Sequence, residues 1–305
     1  MSTHSGHIAH AAAFEELRYF KRELPSAGVV PTASVANMTG LFGTDKETGR
    51  FVKRYLQSTH FDLFFADAIV VIEGTAERIL LPHLIQNHYP DLAAAYLSFL
   101  ELGGSHAHRM RPLIEALELP TLIITDLDAV AEVDKDGKAV KQSAQPCYGA
   151  AQTTANHVLK TWLPGLTEID TLLAPPANAL CHTASDHPIA VSYQIPQSLT
   201  LGAMSENVTP STFEDALALA NPKAVETAAT AELACRMTRA FAKSIAAEPT
   251  PVGLAKALFD RLEKYPEKAA FALDILYIED IKSLRAPPYI DTGLNWLAGQ
   301  LKGMT

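Results

Sequence analysis

The sequence has 305 residues, 48% hydrophobic and 19% charged, enough for one large or two ordinary domains with a sizeable core. Its 34 acidic and 25 basic side chains leave a net charge of −9, which argues against a protein that coats nucleic acid wholesale but not against local affinity. Cys147, Cys181 and Cys235 are widely spaced and lack metal-ligand spacing, and no apolar run is long enough to span a membrane. Reduced thiols, no signal or transit peptide in MSTHSGHIAH, and a cytoplasmic location are therefore expected.

In chain order, Phe14, Leu17, Phe20 and Leu24 recur at three- and four-residue spacing and predict an amphipathic helix from about Ala11 to Leu24. A looser stretch punctuated by Pro25, Gly28, Pro31, Gly40 and Gly43 follows. A second helix is expected from about Thr48 to Gln57, leading through Phe61 to Phe65 into a buried strand, Ala68 to Ile72. Gly74 breaks that strand, Thr75 is a plausible N-cap, and Ile79, Leu80 and Leu84 continue at helical spacing. Glu73 thus ends a strand and Glu77 lies on the first turn of a helix.

Ala94 to Leu102 reads as a second strand, turned by Gly103-Gly104 into a helix that carries His106, Arg109, Leu113, Ile114 and Leu117. Leu119 to Val130 is a further apolar run ending in Asp126 and Asp128, which strand alternation places on one side of the chain. Strand, helix, strand, helix, strand implies right-handed parallel crossovers and an α/β, doubly wound sheet. Ligands of such sheets bind at the carboxyl ends of the strands. If the strands are neighbours, Glu73, Glu77, Asp126 and Asp128 converge there, and their mutual repulsion calls for a divalent cation. All-oxygen ligands favour magnesium or manganese over zinc. The competing reading makes Glu77 and one aspartate mere caps at the sheet rim. His106 and His108, in a strand-to-helix loop, read as solvated rather than as ligands.

Asp134 and Asp136 fit a hairpin tip, because Asp-Gly is a turn dipeptide and the residues of a calcium loop are absent. Asn156, His157 and Trp162 lie in a helix-like stretch ending at Pro164-Gly165, and Val191 to Ile195 is another strand that leads to the MSENV loop. Thr212 to Leu262 is Ala-rich and predicts a subdomain of about three helices. Pro266 opens a helix continuing as KAAFALDILYIEDIKSL, with Phe271, Leu273, Ile275, Leu276 and Ile278 mostly buried, and Tyr289 to Leu301 forms a last one with Trp296 on its apolar side. Lys268 in a first helical turn opposes the helix dipole, a local misfit.

A hydrophobic strand, EGxxE, a helix and a strand ending DxD together resemble the Toprim pattern of topoisomerases, bacterial primases and OLD (overcoming lysogenization defect) nucleases. THFDLFFADAIVVIEGTAERILLP, LPTLIITDLDAV, MSENV and KAAFALDIL make the chain most similar to the C-terminal Toprim region of OLD nucleases, class 2. The resemblance implies a Toprim-like, mostly parallel sheet flanked by helices with an additional α-helical subdomain. It implies segments 1–58 (helical), 59–210 (Toprim core), 211–265 (helical subdomain) and 266–305 (helices completing the core). It also implies a metal-dependent DNA endonuclease. Glu73, as ligand or general base, with Glu77, Asp126 and Asp128 would serve a first ion, Ser205 and Glu206 a second, with Glu214 a further candidate. Lys268, or failing it Lys264, would stabilise transition-state charge. The expected cofactors are two divalent cations, Mg or Mn, with Ca as a supporting or non-productive ion. The expected partners are DNA, touched by Arg109, Arg111, Lys135, Lys138 or Lys141 unless these are plain surface charges, and an N-terminal ATPase domain. With no GxxxxGK[ST] motif, the chain is expected neither to bind nor to hydrolyse ATP. A topoisomerase or primase fragment and a non-catalytic, metal-dependent DNA-binding module are the alternatives.

Overall fold

The computed structural model describes residues 2–3, 5–23, 32–57, 61–103, 106–174, 182–184 and 187–302. The expectations for Cys181, Leu24 and the stretch 25–31 lie outside them; Cys147 is exposed and Cys235 half-buried. A five-stranded sheet organises the chain, in the spatial order Leu97–Glu101, Ala68–Ile72, Thr121–Ile124, Ile189–Ser192, His182–Thr183. The first four strands run parallel and only the His182–Thr183 edge is antiparallel. The three central strands of the parallel set are buried along their whole length, so they are apolar at every position except Thr121 and Ser192.

Alternation along these strands feeds two apolar layers. Val70, Ile72, Leu122, Ile124 and Ala190 face the helices Thr75–His88, Phe213–Ala220, Lys268–Leu276 and Pro288–Lys302. Ile69, Val71, Ile123, Ile189 and Val191 face the opposite layer, with Val52 of helix Lys46–Tyr55, Leu113 and Ile114 of helix Arg111–Leu117, and Val158 and Leu159 of helix His157–Thr161. The last helix lies so close to the sheet that a Cβ at Gly293 would stand 2.9 Å from Leu122 Cδ1 and 3.2 Å from Ser192 Cβ. The Ala-rich region forms four helices rather than three: Phe213–Ala220, Pro222–Ala228, Arg236–Ala247 and Pro251–Lys264. Pro222 and Pro251 each sit in a first turn, where a missing N–H costs nothing.

The amino-terminal helix from Ala11 to Leu24 does not form. The chain makes a short helix, Gly6–Ala11, a 3-10 turn, Phe14–Glu16, and a strand, Arg18–Glu23, antiparallel to Thr32–Asn37. The three- and four-residue spacing was coincidental: Phe14 is buried but Phe20 is 68% exposed, so no common apolar face exists to stabilise a helix. Thr75 begins its helix instead of capping it, Gly74 being the cap residue, and its hydroxyl donates to Glu101.

The expected Leu119–Val130 strand is split. Asp128 takes a left-handed conformation, φ 46°, and beyond it Ala129–Lys135 reverses into a hairpin with Lys138–Ser143 around Asp136-Gly137, as the Asp-Gly dipeptide indicated. MSENV is a strand, Met204–Val208, paired with Gln197–Leu201, not a loop. The helix after Pro266 stops at Leu276, with Leu273 54% exposed.

Candidate active site at the carboxyl edge of the sheet

Three adjacent parallel strands each end in a polar side chain at the same edge. Ala68–Ile72 delivers Glu73, Thr121–Ile124 delivers Thr125 and Asp126, and Ile189–Ser192 delivers Gln194. They meet in one hydrogen-bond network. Oε1 of Glu73 accepts from the Thr125 hydroxyl, from Asp126 N (3.0 Å) and from Asn156 Nδ2 (3.0 Å). Oδ1 of Asp126 accepts from Gln194 Nε2 at 2.6 Å, while Gln194 Oε1 accepts from Leu127 N at 2.9 Å. Asn156 caps helix His157–Thr161 through Oδ1, and its amide nitrogen also lies 2.8 Å from Thr125 Oγ1, 3.1 Å from the Asp126 carbonyl and 3.2 Å from Asp128 Oδ2. The residue that starts the helix therefore also ties the two acidic strand ends together.

Glu77, on the first turn after Gly74, is 4% exposed and stands beside Glu214, the second residue of helix Phe213–Ala220. Glu214 Oε2 accepts from the Thr212 hydroxyl at 2.7 Å and forms an ion pair with Lys268 Nζ at 2.9 Å. Lys268 reaches in from the first turn of its helix, which resolves the misfit seen in the sequence: the ammonium serves the carboxylates rather than the helix end.

The electrostatics follow from crowding. Burial and then Asp128 raise Glu73, while burial and then Glu73 hold Asp126 well above the usual carboxylate range. Burial and then Glu214 push Glu77 up to about 8. Asp128 is raised by burial, against the hydrogen bond from Asn156 and the attraction of Lys268 and Lys160. Burial alone would lower Lys268, but Glu214, Asp126 and Glu77 outweigh it and raise it. Glu73, Glu77, Asp126 and Asp128 are thus all raised by burial, and a further cation at this edge would favour their ionised forms. The donors are oxygens throughout, which suits a hard divalent cation. Among the described residues no three His, Cys, Asp or Glu side chains are already gathered as a ligand set. One oxygen each of Glu73, Asp126, Asp128 and Glu214 is engaged by a protein donor or by Lys268.

The structure brings together Glu73, Glu77, Asp126, Asp128 and Lys268. It does not bring Ser205 and Glu206 to them. Ser205 bonds to Ser198 and Thr200 on its own exposed ribbon, and Glu206 accepts from Val252 N at the start of helix Pro251–Lys264. The hydroxyl and carboxylate beside the lysine are those of Thr212 and Glu214. Lys264 lies over the Tyr265 ring, 5.5 Å from its centroid. Arg109 and Arg111 are paired with Glu47 and Glu115. His106 packs on Phe51 and His108 on His157. Sequence reasoning missed Asn156, Thr125 and Gln194. Gln194 was within reach of the rule that found Glu73, being the polar residue just past a buried strand.

A mostly parallel sheet that gathers EGxxE and DxD carboxylates at its carboxyl edge defines a Toprim-type domain. Residues 64–128 match the family "Overcoming lysogenization defect protein-like, TOPRIM domain". It is 28% identical over 259 residues to Endonuclease GajA of Bacillus cereus (strain HuB5-5), an alignment covering 83% of this chain but only 34% of that relative. Similar solved structures are the C-terminal region of the Burkholderia pseudomallei OLD protein and that of Xanthomonas campestris pv. campestris. The first has 17% identity, a TM-score of 0.42, and covers 78% of this chain and 99% of that one. The second has 16% identity, a TM-score of 0.40, and covers 80% and 97%.

Proposed function

We propose that the chain is the catalytic part of a metal-dependent DNA endonuclease that hydrolyses phosphodiester bonds. The observation that carries this reading is the convergence of Glu73, Asp126 and Gln194 from three neighbouring strands, with the Lys268 ammonium held against the same centre by Glu214. Glu73, Glu77, Asp126, Asp128 and Glu214 would hold two divalent ions, Mg or Mn. Bound there, such ions supply positive charge to the scissile phosphate and acidify water. Asn156 and Gln194 fix the carboxylates in place. Lys268 offers an ammonium to the charge that builds on the phosphate or the departing oxygen. The matched relative is nearly three times as long as the aligned segment, and an ATPase domain in the longer protein belongs to the same proposal.

The test is incubation of the purified chain with supercoiled plasmid in magnesium, manganese, calcium or EDTA, beside Asp126→Ala and Lys268→Ala. Nicking or linearisation in magnesium or manganese that EDTA and both substitutions abolish is expected. Relaxation of supercoils without nicking would instead indicate a topoisomerase.

A further inference from the structure

The hairpin Ala129–Lys135/Lys138–Ser143 leaves the site directly. It begins one residue after Asp128, and its base is tied to the site by pairing of Ala129 with Thr154 and by the Thr154 hydroxyl donating to the Leu127 carbonyl at 2.6 Å. Asn156 is two residues further on, so the ribbon's direction is set by the segment that holds the carboxylates. Its strands are 7 and 6 residues long, and the outer one is exposed at every position. At about 3.4 Å per residue the ribbon reaches roughly 20 Å from the site, a length that spans about six base pairs of duplex.

The register gives the ribbon two unlike faces. Val130 opposite Ser143, Glu132 opposite Lys141 and Asp134 opposite Ala139 form one of mixed charge. Ala131 opposite Gln142, Val133 opposite Val140 and Lys135 opposite Lys138 form the other, with a valine pair at its middle and two lysines at the tip. Like charges directly opposite each other weaken a ribbon, so Lys135 and Lys138 facing each other across the Asp136-Gly137 turn is a local cost that the fold itself does not explain. An anion lying across both would relieve it. Eight of the chain's 25 lysines and arginines form ion pairs, namely Lys21, Lys53, Arg109, Arg111, Arg236, Lys256, Lys268 and Lys302, and no ion pair of Lys135 or Lys138 is present among the described residues.

From this we infer that the hairpin is a DNA-binding arm whose Val133/Val140–Lys135/Lys138 face lies along the sugar-phosphate backbone of a duplex beside the scissile bond. The lysines take phosphates and the valines pack on sugars. The arm rests on the endonuclease reading for its partner, but its test is separable. Binding of a fluorescent duplex is measured by anisotropy in EDTA, where no cleavage occurs, for wild type, for the double variant K135E/K138E, and for K256E/K302E, which changes net charge equally on remote helices. The arm predicts roughly tenfold or greater weakening for K135E/K138E and a slope of log affinity against log salt shallower by about 2, with little change for the remote pair. Hydrolysis of bis(p-nitrophenyl) phosphate, too small to reach the arm, is expected to be equal in wild type and K135E/K138E.

Equal DNA affinity of wild type and K135E/K138E, or equal weakening by the remote pair, overturns the arm, as does a wild-type chain that does not bind duplex. A chain that binds duplex through the arm yet hydrolyses neither plasmid nor the small diester overturns the nuclease reading and leaves the arm supported.

Discussion

Lys268 and Glu214 form an ion pair of 2.9 Å in which the glutamate side chain is 2% exposed and the lysine side chain 45% exposed. The pair is asymmetric. Glu214 is buried with its ion partner, whereas part of the Lys268 side chain stays exposed. Lys268→Ala strands a buried carboxylate and is expected to destabilise the chain by about 1–3 kcal/mol while abolishing cleavage. Lys268→Arg is expected to recover most of the stability but little of the activity, since a planar fork cannot occupy the same point. Urea denaturation alongside plasmid cleavage checks both. Recovery of full activity by arginine would remove the lysine's specific role.

The same pair distinguishes two acids that sequence placed together as candidates for a second ion. Glu206 lies on an exposed ribbon against Val252 N, whereas Glu214 touches both Thr212 and Lys268. Glu214→Gln is expected to cost at least about a hundredfold in cleavage, in the range of losing one charged transition-state contact. Glu206→Gln is expected to stay within a few-fold of wild type. Initial rates at saturating magnesium decide, and the reverse ordering would return the second ion to the ribbon.

How much of this was legible in the chain follows from range. Glu73 and Asp126 were found because each ends an apolar run, a signal contained within about six residues. Glu214 was harder, because its neighbours Phe213 and Ala216 to Leu219 read as an ordinary buried helix, and what marks the residue is a lysine 54 positions away. Asn156 showed only the local pattern of an N-cap, which it also is. Its four contacts to the acidic strand ends belong to the tertiary structure. The amino-terminal ribbon failed for the opposite reason, since a helical spacing of four residues arose by chance where no packing partner enforces it.

Asn156 makes a prediction of its own. Asn156→Ala removes both the helix cap and the donors to Glu73 and Asp128, and should destabilise by about 2–3 kcal/mol, summing roughly 1 for the cap and 1–2 for the unpaired acceptors. Asn156→Asp keeps the cap but sets a carboxylate against Glu73. It should be nearly as damaging in EDTA and substantially rescued by magnesium. Melting temperatures of both variants with and without the ion test this, and an Asp variant indifferent to magnesium would contradict it.

Gly293 and Gly299 share the last helix but not its surroundings. A Cβ at Gly293 would press on Leu122 and Ser192 in the buried sheet, while one at Gly299 meets nothing within 4 Å. Overpacking of about 1–3 kcal/mol should exceed the roughly 1 kcal/mol that alanine contributes to a helix, so Gly293→Ala destabilises and Gly299→Ala stabilises. Opposite shifts in denaturation midpoint are the expected result. Equal shifts would mean that the sheet yields at Gly293 more readily than its packing indicates.

The carboxyl groups set a pH dependence that metal should flatten. Glu77 is pushed up from 4.5 to about 8, and Glu73 and Asp126 are raised as well, so between those values the folded chain holds more protons than the unfolded one. Stability in EDTA should therefore fall as pH rises from about 4.5 to 8, because unfolding releases protons there. A divalent ion binds the ionised groups and must displace the same protons, so its stabilising effect should grow over the same interval. The measurement is the melting temperature in EDTA and in magnesium across that range, repeated with Glu77→Gln. The gap between the two curves should be small near pH 5 and widest near pH 8, and narrower in the variant. A gap independent of pH would mean that the ion binds away from Glu77, Glu73 and Asp126, since only groups that exchange protons for metal can couple the two.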